Sequence, residues 1–243
     1  MFALYLKEIR SFLNSIIGYV FIAIFLIANG LFLWFVSYDT NVMESGIADL
    51  IPFFNLAPII FLMLIPAITM RSIAEEKRTG TIELLFTRPL SDWQIVFAKF
   101  FAGATLVFIS LLPTLIYYVS IHLLGDPVGN IDDGATIGSY IGLFLLGVCF
   151  VSVGLFASSI TSSQIVAFIL AMFSCWFLFD GLDLIGSYNI WGDFDSIIQY
   201  SGMKYHYESI MKGVVDTRDL IYFISLSTLF LVGTYTAIKA YKR

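Results

Sequence analysis

The sequence predicts an all-α integral membrane protein with six spanning helices. Three observations predict it. Of 243 residues, 59% are hydrophobic, the mean hydropathy is +0.89, and the apolar residues gather into runs long enough to cross a bilayer. A hydrocarbon core of roughly 30 Å needs about 20 such residues per helix. This composition excludes the soluble globular classes. The formal net charge of −5 averages over two compartments, so only its distribution by loop is informative. Membrane lipids are the expected surroundings, and no nucleic acid is expected as a partner.

Residues 1–15 place Phe2, Tyr5, Leu6, Ile9, Phe12 and Leu13 at helical spacing, with Lys7, Glu8 and Arg10 turned the other way. That is the pattern of an amphipathic helix lying in the membrane interface; the competing reading is an extension of the first span into water. The spans are expected at roughly 16–37, 53–73, 93–124, 136–159, 163–180 and 218–239. The first one follows basic residues as a secretory signal would. It ends in Trp34 and Phe35 without a small-residue cleavage site, so it is expected to be retained.

Six crossings put both termini on one side. With them fall Lys7, Arg10, Arg71, Lys77, Arg78, Arg88, Lys99, Lys239, Lys242 and Arg243, out of thirteen Lys and Arg in all. The positive-inside rule makes that side cytoplasmic. The expectation is a multi-pass protein of the inner (cytoplasmic) membrane, all 243 residues forming one transmembrane domain. Of the outer segments, 181–217 differs from a plain linker. Trp191, Phe194, Ile197, Tyr205, Tyr207 and Ile210 suggest short helices re-entering the outer leaflet, tolerable where protein covers their backbone ends.

Several polar or helix-breaking residues lie within the spans. Pro58 and Pro66 in span 2 and Pro113 in span 3 each remove a backbone hydrogen bond, which makes them candidate hinges or simple kinks. Gly138, Gly142, Gly154 and Ser158 in span 4 allow close helix approach. Asn29 and His122 are expected at helix interfaces, where partners offset the cost of a polar group in lipid. Cys149 and Cys175 sit in apolar runs and make no metal site.

The charged stretch at 74–92 is the segment with the most chemistry. Span 2 is expected to continue as helix through Arg78 and stop at Gly80 in a left-handed conformation. Thr81 is expected to cap a short helix whose apolar face is Ile82, Leu85 and Phe86. Pro89 bars continuation, Ser91 with Gln94 fits a capping box for span 3, and Trp93 suits an interfacial anchor. An apolar knob ringed by charge suits docking of a soluble partner; a solvated loop held by local ion pairs is the alternative.

The pattern Glu75, Glu76, Gly80, Thr81, Glu83, Leu85, Pro89, Leu90, Ser91 resembles the signature of ABC-2 type permeases. The longer stretches "PAITMRSIAEEKRTGTIELL" and "MKYHYESIMKGVVDTRDLIYFIS" are similar to the GldF-type permease subunits of gliding motility in Bacteroidetes. The resemblance implies a type V exporter-like fold with a cytoplasmic coupling loop at 74–92. Glu75, Glu76, Gly80, Thr81, Ile82, Glu83, Leu85, Phe86 and Pro89 would engage a separate ABC ATPase. It further implies pairing with a second permease copy or a paralogous, GldG-like membrane subunit. Glu75 and Glu76 would be anchored by cations on the ATPase or by Lys7 and Arg10.

No G-x-x-x-x-G-K-[S/T] motif occurs, so no catalytic, cofactor-binding or metal residues are expected. ATP and Mg would belong to the partner. A non-transporting scaffold of a motility or secretion machine and an ATP-independent secondary transporter are the rival classes. The latter would be expected to carry charged groups near the middle of its spans.

Overall fold

The computed structural model describes residues 1–36, 41–87, 89–188 and 192–242. Arg88, Trp191 and Arg243 lie outside the described residues. In chain order the helices are α1 (Phe2–Leu13), α2 (Ile16–Trp34), α3 (Val42–Ser45), α4 (Ile51–Thr69), α5 (Ala74–Thr79), α6 (Thr81–Phe86) and α7 (Asp92–Leu111). They are followed by α8 (Leu115–Leu124), α9 (Asp133–Ile160), α10 (Gln164–Trp176), α11 (Leu182–Ser187), α12 (Asp193–Tyr200), α13 (Met203–Met211) and α14 (Thr217–Tyr241). Among the described residues there is no strand.

Six helical stretches are long and apolar enough to cross a membrane, as the hydropathy predicts. Their starts are written locally. Ser15 accepts from Gly18 N, Asp132 from Ala135 N and Asp216 from Arg218 N, each satisfying a backbone donor that a helix start leaves free. Ser91 and Gln94 form the expected capping box at the head of α7.

α9 is the central post, packed by α4, α7, α10, α13 and α14. Its small residues serve that packing. A Cβ on Gly154 would lie 2.0 Å from Thr69 Oγ1 of α4, and one on Gly142 would lie 3.0 Å from Ile210 of α13. Stacked Phe25 and Phe61 rings, 4.5 Å apart, tie α2 to α4. Asn29 is buried and donates to Phe25 O at 2.7 Å, along its own helix. Cys149 and Cys175 are free and buried.

Three boundaries differ from the sequence expectation. Span 2 does not run on as one helix to Arg78; α4 ends at Thr69, and a turn at 70–73 separates it from α5. α4 itself continues through both Pro58 and Pro66. Pro113 occupies a single tight 3-10 turn, Leu112–Thr114, that divides span 3 into α7 and α8.

The third difference is in span 5, which does not end at Asp180. It passes through a π-helical turn, Phe177–Gly181, into α11. Asp180 and Asp183 look like a helix terminus in the sequence, but Lys204 of α13 pairs with both, at 3.6 and 3.0 Å. With those charges compensated the helix carries on. The described residues of 181–217 thus form a cap of α11, α12 and α13. One face of α13, Met203, His206, Tyr207 and Ile210, is buried, with Tyr207 donating to Phe54 O of α4 at 2.7 Å.

Candidate functional site

On the side of the termini, α1, α5 and α6 gather around the head of α7. The turn at 70–73 exists because a side chain from α9 splices it. Ser158 Oγ donates to Met70 O at 3.0 Å and accepts from Ile73 N at 3.1 Å and Ala74 N at 3.0 Å. One hydroxyl thereby satisfies the last carbonyl of one helix and the first amides of the next, groups that a chain break otherwise strands.

Glu76 on α5 meets Lys99 of α7 at 2.9 Å and Lys7 of α1 at 3.6 Å. Lys99 also donates to Glu8 at 3.3 Å and to Ser72 O at 2.7 Å. The ammonium therefore spends its three donors on three partners, and it is buried. Burial works to raise the Glu8 carboxyl, yet Lys99 and Lys7 outweigh it and hold the group below the usual carboxylate range. Burial likewise works to lower Lys7, and Glu8 and Glu76 outweigh it, holding Lys7 above the ordinary lysine value.

Of the two expected glutamate anchors, then, Glu76 reaches Lys7. Glu75 pairs with Arg78 at 3.8 Å, and Arg10 forms no ion pair among the described residues. Lys99 is the cation that sequence reasoning missed in this role. Inside "IVFAKFFAGA" it reads as a lysine at the end of a span.

Gly80 adopts the expected left-handed conformation, φ +72°, and α6 follows immediately. Thr81 does not cap it: Gly80 holds the cap position, and the Thr81 hydroxyl lies 2.9 Å from that of Thr79. The expected apolar face is not the exposed one either. Ile82 is 2% exposed, and Leu85 and Phe86 pack with Leu90 against Leu4, Ile95 and Ala98. The face turned outward is Thr81, Glu83, Leu84 and Thr87, with Leu84 65% exposed. Pro89 is also exposed.

The end of α14 braces the other flank. Lys77 donates to Ser159 O and lies over the Tyr241 ring at 4.7 Å. Lys242 bonds Asp92 at 3.3 Å and lies over the Phe86 ring at 5.2 Å. Trp93 stacks on Tyr235 at 4.5 Å, so its first neighbour is protein. An open cleft of about 930 Å³ separates α1 from the 70–73 turn and α6. The candidate hinges Pro58 and Pro66 are buried inside α4, Pro66 accepting from Met70 N at the edge of the 70–73 turn. Among the described residues no group of three or more His, Cys, Asp or Glu is placed to hold a metal ion.

What the arrangement supplies is a short helix held rigidly from behind, with a polar face and one apolar side chain presented outward. Residues 2–188 match the family model described as ABC-2 family transporter protein. No curated protein matches the chain.

Proposed function

Because the chain belongs to the ABC-2 family of transporter proteins, we propose that it is the permease subunit through which a separate cytoplasmic ATPase, carrying ATP and Mg, drives export or transmits force across the membrane. In this reading both termini and the 74–92 segment are cytoplasmic, and the membrane is the inner one. The outward face of α6, Thr81, Glu83 and Leu84, seats in a groove of the ATPase. Gly80 and Pro89 bound the docking segment, and Ile82, Leu85 and Phe86 fix it to its own protein.

Motion of α6 passes to α7 and α1 through Glu76, Lys99 and Glu8, and to α9 through Ser158. Transmission requires that α6 meet the open and closed ATPase with different free energies. Exposed apolar side chains on α2, α10 and α14, among them Ile27, Ile169 and Ile224, suit packing against lipid and a second permease copy or a paralogous, GldG-like subunit. Gliding motility is the process the reading assigns.

The observation that carries the proposal is Leu84, exposed on a helix whose other apolar residues are already packed. Where an interface side chain is a hot spot, truncating it costs about 2 kcal/mol or more. Leu84→Arg is therefore expected to weaken retention of the ATPase on co-purification by about thirtyfold. Full binding and full stimulated hydrolysis by a Glu83→Arg, Leu84→Arg double variant would overturn it.

A further inference from the structure

The cleft between α1 and α6 has two kinds of wall. Phe12 of α1, Ile17 of α2 and Ile68 of α4 line it where two spanning helices begin and finish, and Leu84 and Leu85 of α6 add apolar surface. Lys7, Arg71, Ser72, Glu75 and Glu76 line its polar end. Such a cleft is amphipathic, and it lies where two spanning helices begin and finish.

Its charges are unevenly used. Lys7, Glu8 and Glu76 are spent on the Lys99 cluster, whereas Arg71 makes no ion pair or side-chain hydrogen bond among the described residues. The second oxygen of Glu76, Oε2, is buried and has no hydrogen-bond donor. Glu75 has only a long, exposed pair with Arg78. The polar wall thus offers a guanidinium without an ion pair beside Glu75, a carboxylate whose one cation partner is long and exposed. A phosphate alone would satisfy the first and be repelled by the second.

We infer that this cleft binds a zwitterionic aminophospholipid of the facing leaflet, a phosphatidylethanolamine. The phosphate bonds Arg71, the ammonium bonds Glu75, and the first acyl carbons lie on Phe12, Ile17 and Ile68. Guanidinium–phosphate pairing is charge-assisted and bidentate. Burial of acyl methylenes adds affinity that a soluble headgroup lacks. The cleft shares Thr81 and Leu84 with the proposed docking face, so lipid binding is tested on the chain without an ATPase.

The test uses the full chain in proteoliposomes with equimolar phosphatidylethanolamine and phosphatidylglycerol, and a phosphatidylethanolamine probe with a photoactivatable acyl chain. Crosslinks are expected in peptides covering residues 1–18 and 66–90. They should fall about tenfold in Arg71→Ala, the loss of one charge-assisted hydrogen-bonded pair. Arg10→Ala, a cation of α1 outside the cleft, should leave them unchanged. Glu75→Gln should narrow the preference for phosphatidylethanolamine over phosphatidylglycerol. Three results would each overturn the inference: equal competition by phosphatidylglycerol, equal competition by soluble phosphoethanolamine, or crosslinks confined to the outer faces of α2, α10 and α14. If Arg71→Ala does not fold, the wild-type competition and crosslink map decide alone.

Discussion

Lys99 and Lys7 touch the same two carboxylates, yet their burial makes them unequal. Lys99 has 1% of its side chain exposed and Lys7 has 59%. Removing one partner of a buried ion pair strands the other charge, which costs about 3–5 kcal/mol, whereas exposed pairs contribute about 1 kcal/mol or less. Lys99→Ala is therefore expected to destabilise the detergent-solubilised protein by about 3–5 kcal/mol in thermal unfolding. Lys7→Ala should stay within about 1 kcal/mol. The cluster also sets a pH window. Glu8, with its pKa depressed, contributes stability above the unfolded carboxyl value of about 4.3 that is lost as pH falls through the lower folded value. Lys7, with its pKa raised, contributes below about 10.4 and is lost as pH rises through its higher folded value. Hydrogen-exchange protection of α1 should be flat between about pH 5 and pH 10 and fail first on the acid side.

α6 depends on a single backbone conformation at its head. At φ +72° a residue with a Cβ is strained by about 1–2 kcal/mol, asparagine least and β-branched residues most. Gly80→Asn is expected to retain ATPase binding near the wild-type level on co-purification, and Gly80→Val to lose most of it while the spans remain folded. This glycine, the short helix after it and the Ser91 capping box were legible in the sequence because each is decided by neighbours a few residues away. The orientation of α6 was not. Periodicity shows that Ile82, Leu85 and Phe86 share a face, but whether protein or water covers that face depends on Leu4 and Ile95, which no local pattern reveals. The break after Thr69 was hidden for the same reason, since the hydroxyl that closes it comes from Ser158, 84 residues beyond Ala74. The six spans were legible because hydropathy over about 20 residues is a bulk property that single contacts do not alter.

Across the whole molecule, α14 is an unbroken helix with partners at both ends. At the terminal end Tyr235, Tyr241 and Lys242 hold α5, α6 and α7. At the far end Asp219 Oδ1 lies 2.7 Å from His206 Nδ1 of α13, and the Tyr222 ring stacks on that imidazole at 3.9 Å. His206→Ala would leave Asp219, 4% exposed, without its ring partner, at a cost of about 1–3 kcal/mol. Hydrogen exchange in 193–211 should rise while ATPase retention at α6 stays unchanged. Loss of both together would mean that the cap and the docking helix unfold as one unit. The inward turn of Ile82, Leu85 and Phe86 also governs how fast an ATPase can arrive. A helix that has already spent its greasy side on its own scaffold has little ordering entropy left to surrender at first touch. Association should then proceed at the ordinary rate of two rigid proteins, about 10⁵–10⁷ M⁻¹s⁻¹, with no lag for folding.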